Sequence, residues 1–463
     1  MALLDELANL LGDDLLLDEG ARRRRARDTW PRSELDQWQG RLRLPAAVAA
    51  PSTTERVAET VRLCRAHGVP MIPRGAGSGC VGGVLATPES VVISTERLNG
   101  LRSLDPVDGL AAFGAGTMGI DAENRVQQDG FTIGHWPQSI EISSVGGWAA
   151  TRASGQYSTA YGNIEDIVYA VEAVLPDGSI YRSRPTPRAS AGPDLRQLLL
   201  GSEGTLGIIT EVTFSLRPLP EPGVRQAFHF GDMSAGIDAV RSVIMPGWRP
   251  PVVRLYDAGE SRRHFRDQVP KGRCVAIFLH EGPPGHAELE AAAVAERCRS
   301  GGGEPADPDA VDHWFEHRNT VPTWTELFEQ GLVADTIEVA TGWRHLAGLY
   351  EAVIEMVSAA PTVIAATAHT SHAYRSGANL YFTFAAQPPD PGDYLAVYDA
   401  CWTAAMQAAI DCGAGIAHHH GIGRVRRPWL ADELGNAGVG VLRAVKAALD
   451  PQNLMNPGVL IPD

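Results

Sequence analysis

Three adjacent histidines, His418, His419 and His420, precede Gly421, Ile422 and Gly423, with Arg424, Arg426 and Arg427 directly behind. Imidazoles donate hydrogen bonds to a phosphate or an oxyanion and exchange protons near neutral pH. This loop is therefore a candidate for catalysis on an anionic substrate. Tyr381 stands in the alternating stretch LYFTF (380–384), where a period of two puts Tyr381 and Thr383 on one face of a strand. A phenol on such a face either packs in a core or moves a proton. Arg254 lies between Val253 and Leu255 on an expected strand. Once buried, a guanidinium needs a partner, in the protein or on a ligand.

A second set of residues has the makings of a cofactor cradle. Pro73, Arg74, Gly75, Ala76, Gly77, Ser78 and Gly79 form a glycine turn behind an apolar run. Without a Cβ, such a turn approaches a diphosphate closely and aims several amides at it. No helix pattern opens directly after it, so it is not the usual dinucleotide fingerprint. Two more small-residue segments follow. The first, 137–154, contains Pro137, Gln138, Ser139, Ser143, Gly146, Gly147, Thr151, Arg152, Ala153 and Ser154. The second, 203–209, contains Glu203, Gly204, Gly207, Ile208 and Ile209.

The elements that must position these residues follow from pattern. Residues 1–44 read as a helical arm. Ser52 and Glu55 have the capping-box spacing, Val57, Val61 and Cys64 recur at helical spacing, and Gly68 is placed to end that helix. Strands are expected at 69–73, 91–94, 111–114 and 208–216, with a hairpin over 167–182 turning at Pro176, Asp177 and Gly178. Pro218, Pro220 and Pro222 mark a boundary. Beyond it, strands alternate with amphipathic helices, as in an α+β domain over an antiparallel sheet. A last helix is expected at 439–449. The expected organisation is thus an arm (1–44), a cofactor domain (45–222), a substrate domain (223–428) and a C-terminal segment (429–463) that returns to the cofactor domain. With 463 residues the chain exceeds one ordinary core.

Charge and cysteine usage narrow the class. Forty basic against 55 acidic residues give a formal net charge of −15, a field that opposes nucleic acid and anionic membrane. The one basic run, Arg22 to Arg25, reads as a solvated face. Six cysteines are scattered without a CxxC pair, as in a reduced, cytoplasmic chain. No apolar run reaches the roughly 18 residues of a membrane span. The expected partner is a small-molecule or lipid substrate, with a homodimer as an open alternative.

Taken together and in this order, the segments 73–79, 137–154 and 203–209 and the tail DPQNLMNPG (450–458) resemble the FAD domain of the vanillyl-alcohol-oxidase and p-cresol-methylhydroxylase type. That resemblance implies a two-domain FAD-binding fold with an α+β cap domain over an antiparallel sheet. It also implies non-covalent FAD. Relatives that tether flavin carry a His in the first loop, where this chain has Gly77, Ser78 and Gly79, or a Cys near 142–145, where it has none.

Further stretches, among them VVRLYD, GANLYFTF and HHHGIGRVR, resemble the alkyldihydroxyacetonephosphate (alkylglycerone-phosphate) synthases. What that implies is exchange of an acyl for an alkyl group through a flavin adduct, forming an ether lipid. Tyr381 would transfer the proton, His418, His419 and His420 would shape the reacting side, and Arg254 would bind substrate. Those synthases carry a substrate-binding arginine before an E-x-A/S-x-x-W stretch, here Glu338 to Trp343. By spacing that position falls near Trp324, and the nearest arginine is Arg318. The alternative is an FAD-dependent oxidase or dehydrogenase of an alcohol or D-2-hydroxy acid. D-2-hydroxyacid relatives hold a metal through two His and a Glu. Here Tyr381 and His419 stand at two of those places, so no metal is expected.

Overall fold

A computed structural model describes residues 2–221, 223–320 and 322–462. Contacts divide the chain into two units, one of Met1–Ser154, Asn163–Leu219 and His419–Asp463, the other of Gly155–Gly162 and Pro220–His418. The C-terminal return thus begins ten residues before the expected 429. An eight-residue piece of the long Gly/Ser stretch, 155–162, belongs to the second unit.

In the first unit, the strand Val91–Ser94 pairs in parallel with both Ala47–Ala49 and Met71–Arg74. Parallel strands need a crossover, supplied by the helix Thr54–Ala66. Its N-cap is Thr53, whose hydroxyl accepts from the Arg56 amide, and not Ser52 as the spacing suggested. Thr53 is extended and adjacent to the first helical residue, which brings its oxygen to that amide. Val57, Val61 and Cys64 are buried, and the chain leaves through Gly68 at φ +64°. The arm is helical at Ala2–Leu11, Glu19–Arg25 and Pro31–Trp38, but it also contributes a strand, Leu15–Leu16, to this sheet.

A second, antiparallel sheet runs in the order Leu101–Asp105, Leu110–Gly114, Ile208–Ser215, Val168–Val174, Ile180–Arg182. The expected hairpin is present in its last two strands. Against it packs the helix Val145–Thr151, capped by Ser144, with Trp148 buried in the core it shares with Phe113 and Phe214. A Cβ on Gly146 would lie 2.6 Å from the Ala115 Cβ, so only glycine lets this helix sit so close. Ile208 and Ile209, expected at the cofactor, have buried side chains. Their strand points successive side chains to opposite faces, and each isoleucine joins a different apolar cluster.

The last helix spans Leu430–Leu449, broken at Gly435 (φ 66°), and so begins nine residues before the expected 439. Beyond it Met455 bridges in parallel to Met71. Lys446 fixes the return. Its buried ammonium donates to the Thr205 and Met455 carbonyls and to the Asp450 carboxylate.

The second unit is built on an eight-stranded sheet in the order Glu304–Ala306, Val224–Phe230, Cys274–His280, Val252–Tyr256, Val363–Thr370, Gly377–Ala386, Val333–Gly342, with Ala373–Tyr374 paired to Gly377–Ala386. Every pairing is antiparallel. Helices Met233–Ile244, His286–Ser300, Trp343–Ser358 and Tyr394–Asp411 accompany it. The register sets Tyr381 between Glu338 on one neighbouring strand and His369 on the other. Among the described residues, no helix is long and apolar enough to cross a membrane.

Removing one partner of a buried ion pair leaves the other charge uncompensated. Lys446→Met should therefore lower the unfolding free energy by about 3 kcal/mol, read from urea denaturation followed by far-UV circular dichroism.

Candidate functional site

Three small-residue segments meet in the first unit. The Ser144 hydroxyl accepts from the Ala76 amide at 3.3 Å while capping its own helix at Gly147. A Cβ on Gly75 would fall 2.4 Å from the Ser144 Oγ, and one on Gly204 3.0 Å from the Pro73 ring. Gly77 sits at φ +80°, and its Cβ would strike the Arg74 guanidinium. The glycine turn, the helix at 145 and the turn at 204 are thereby in mutual contact.

Arg74 tests what this cradle suits. Its Nη1 and Nη2 donate only to backbone carbonyls, of Gly75 and Arg24, and its Nε has no partner among the described residues. Burial lowers its pKa to about 10, which still leaves a cation at neutral pH. A largely desolvated cation whose hydrogen bonds go only to carbonyls, beside a turn that glycine keeps open, fits an anion such as a diphosphate.

Several residues of the expected cradle serve the scaffold. Ser143 Oγ accepts from Trp148 Nε1 and donates to the Ser139 carbonyl. Thr151 back-bonds to the Gly147 carbonyl, and Ser154 bonds Asn163. Arg152, left-handed at φ 53°, pairs with Glu165 and packs on Gly201. Gly207 lets the chain pass the Val174 carbonyl. Glu203 faces the C-terminal return, where it accepts from the Ile422 and Gly423 amides at 2.7 and 2.8 Å. Its carboxylate therefore holds the turn that follows the histidines. Asp28 and Thr29, which the sequence reading missed, tie the arm to the glycine turn. Thr29 donates to the carbonyls of Ser78 and Gly79, and Asp28 accepts from the Trp30 and Val84 amides.

The second unit gathers another set. Arg254, only 9% exposed, donates from Nε to the Tyr256 hydroxyl (2.7 Å) and from Nη2 to His369 Nε2 (2.8 Å). His369 Nδ1 lies 3.1 Å from the Glu260 carboxylate, and its ring stacks on Tyr381 with centroids 4.8 Å apart. Tyr381 donates to Thr336 Oγ1 at 3.0 Å, and Thr383, on the same strand face, donates to Glu260. Tyr381 and Arg254 thus meet through His369. Burial opposes the Glu260 charge, but His369, Arg263 and His264 hold its carboxyl well below the usual range. Burial also lowers the His369 pKa.

Arg318 is placed by Gln156 and Tyr157 and lies over Trp314 at 5.3 Å, the same indole that Arg254 faces at 5.3 Å. The two arginines share one aromatic wall. The three histidines divide between the units. His418 bonds the Tyr374 hydroxyl at 2.8 Å and stacks on His372, whose Nδ1 is 2.5 Å from Ser158 Oγ. His419 and His420 belong to the first unit, with rings 4.4 Å apart. On the helix Asp309–His317, His313, Glu316 and His317 bring possible metal-ligating atoms within 4.8 Å of one another, at a partly solvent-exposed face. Sequence reasoning missed Glu260, His369 and Tyr256. In the chain they read as an ordinary helix charge, a lone histidine and a strand aromatic.

The FAD binding domain family matches residues 45–184, and the C-terminal domain of FAD linked oxidases matches 219–460. An uncharacterized FAD-linked oxidoreductase of Escherichia coli (strain K12) is 32% identical over 477 residues, covering 100% of this chain and 98% of that protein. The chain belongs to the FAD-linked oxidase family and is a flavoenzyme with FAD as its cofactor. It is also similar to the alkyldihydroxyacetonephosphate synthase of Caenorhabditis elegans, 29% identical over 460 residues, which cover 90% of this chain and 76% of that one. A solved alkyldihydroxyacetonephosphate synthase superposes with a TM-score of 0.82 at 25% identity, covering 98% and 84% of the two chains. Substrate-bound p-cresol methylhydroxylase superposes at 0.78 with 17% identity over 100% and 96%, a likeness of fold.

Burial raises the carboxyls of both Asp28 and Glu203 to about 7. Each folded carboxyl keeps its proton to a higher pH than its unfolded counterpart. The stability this contributes is complete below about pH 4 and is lost as pH rises through about 7. Unfolding free energies from urea titrations should fall between pH 5 and 7.5. Glu203→Gln should flatten that fall by up to about 3 kcal/mol.

Proposed function

We propose that this flavoenzyme is an alkylglycerone-phosphate-synthase-like transferase that exchanges an acyl for an alkyl group and forms an ether lipid. The observation that carries the reading is the meeting of Tyr381 and Arg254 on His369. Arg254 has no carboxylate partner among the described residues, and its Nη1 is left to receive an anionic group of the substrate. Arg318, over the same Trp314 indole as Arg254, adds a second cation to the site. Tyr381 Oη, placed by Thr336, takes the proton of the substrate carbon as the phenolate and returns it as the phenol. His418, held by Tyr374, orients the departing or entering oxygen. When bound, FAD supplies the reactive ring system on which the exchange depends. Residues 73–79, 137–154 and 203–209 would hold it non-covalently, with Arg74 available to its diphosphate.

A second reading, an oxidase or dehydrogenase of an alcohol or D-2-hydroxy acid, is favoured by 25% identity over 426 residues to the glycolate oxidase subunit GlcD of Bacillus subtilis (strain 168). Anaerobic mixing separates the two, since an alcohol or D-lactate bleaches the flavin of a dehydrogenase and leaves that of a synthase yellow.

Purified enzyme incubated with acyl-dihydroxyacetone phosphate and a fatty alcohol should yield an ether product by mass spectrometry. Tyr381→Phe should leave the flavin spectrum intact and reduce turnover by at least ~100-fold, the low end for a lost proton-transfer group. Full activity in that variant would remove Tyr381 from the mechanism.

A further inference from the structure

Arginine has only donors, so the 2.8 Å contact between Arg254 Nη2 and His369 Nε2 requires a lone pair on Nε2. His369 is then neutral, with its single proton on Nδ1, and Nδ1 faces Glu260 at 3.1 Å. Glu260 is 1% exposed and receives donors on every side. Oε1 accepts from Arg263 Nη2 at 2.7 Å, Thr367 Oγ1 at 3.0 Å and Thr383 Oγ1 at 3.2 Å, while Oε2 accepts a hydrogen bond from His369 Nδ1. His264 lies 3.7 Å from Oε2. The Glu260 amide is itself tied to Asp257 Oδ1, the N-cap of the helix Ala258–His264. The carboxylate therefore has a fixed position, and only an acceptor fits there.

We propose that Glu260 and His369 are positioning residues, a carboxylate–imidazole pair that sets the Nδ1–H tautomer and thereby aims Arg254 and backs Tyr381. The pair connects two residues of the functional reading above, on which its catalytic consequence rests. One ring does both tasks: its Nε2 edge takes one guanidinium nitrogen, and its face lies against the Tyr381 phenol with planes 25° apart. Tyr256 takes the guanidinium Nε at 2.7 Å, which leaves Nη1 as the nitrogen to meet an incoming oxyanion. With the opposite tautomer, Nε2–H would face Arg254 donor to donor. The arginine would swing away, and the ring behind Tyr381 would shift with it. The same arrangement of carboxylate, histidine and dependent group recurs wherever an imidazole must present one chosen nitrogen.

Glu260→Gln distinguishes this role from simple packing. The amide has nearly the same shape, but one end becomes a donor. Every neighbour of Glu260 is also a donor, so the amide must face one of them wrongly. Glu260→Asp keeps both acceptors on a shorter arm. The experiment uses full-length holoenzyme labelled with ¹⁵N in its histidine rings, with the His369 signal assigned from His369→Gln. Ring nitrogen shifts report the tautomer directly and require no turnover. The wild type should show a neutral His369 protonated on Nδ1 from pH 6 to 8. Glu260→Gln should lose that signature and reduce kcat with acyl-dihydroxyacetone phosphate at least tenfold at unchanged FAD content. Glu260→Asp should recover part of both.

A wild-type His369 carrying its proton on Nε2, or doubly protonated at pH 7.5, overturns the proposal. So does a Glu260→Gln enzyme with the wild-type tautomer and rate. Should Glu260→Gln be unstable, His369→Gln, which keeps an acceptor for Arg254, must exceed His369→Leu in kcat, and equal rates overturn the pair. A wild type with the Nδ1–H signature but no ether product from either substrate sinks the functional reading, and not the tautomer assignment.

Discussion

A positive charge removed from water must be answered by negative charge or by several well-placed acceptors. Arg254 in the second unit is buried without a carboxylate partner among the described residues, and Arg74 in the first is partly buried, with Glu96 and Asp28 near enough to act on its charge but no carboxylate hydrogen-bonded to it. Arg74 spends its donors on backbone carbonyls, and Arg254 on a phenol and an imidazole. Much of the surrounding architecture can be understood as holding these cations in place until an anion arrives. In the function proposed, that anion is the diphosphate of FAD for Arg74 and a group of the substrate for Arg254.

The scaffolds achieve this differently. Around Arg74 the device is the absence of side chains. Gly75, Gly77 and Gly204 let three chain segments come closer than any Cβ would permit, and Ser144 stitches two of them together. Around Arg254 the device is a rigid antiparallel sheet whose register fixes neighbours to within a pleat. His369 and Tyr381 face each other across a strand pair, so a one-residue slip would put them on opposite faces. The buried polar groups there form a connected network rather than isolated pairs, and each member restricts the next. The same logic governs Glu203, whose carboxylate draws in the amides that follow His420.

Local pattern carried much of the architecture. Period-two runs marked the strands, glycines the turns, and the prolines near 218 the composition change, because these signals depend on neighbours in sequence. Where competing cap residues stood side by side, as at Ser52 and Thr53, spacing could not choose between them. The start of the last helix was also missed, since Gly435 interrupts its pattern without ending it.

By itself the sequence determined the glycine turns, the strand face bearing Tyr381 and Thr383, and the family, since these depend on residue type and short spacing. Tertiary structure alone decided that Glu260, His369, Arg254 and Tyr381 form one network, because they lie on separate strands and a helix up to 127 residues apart (381 minus 254). It also decided that the three histidines part company between two units. No local pattern records which distant acceptor a buried donor will find. That choice is made by strand register and by the requirement that each desolvated polar group be satisfied.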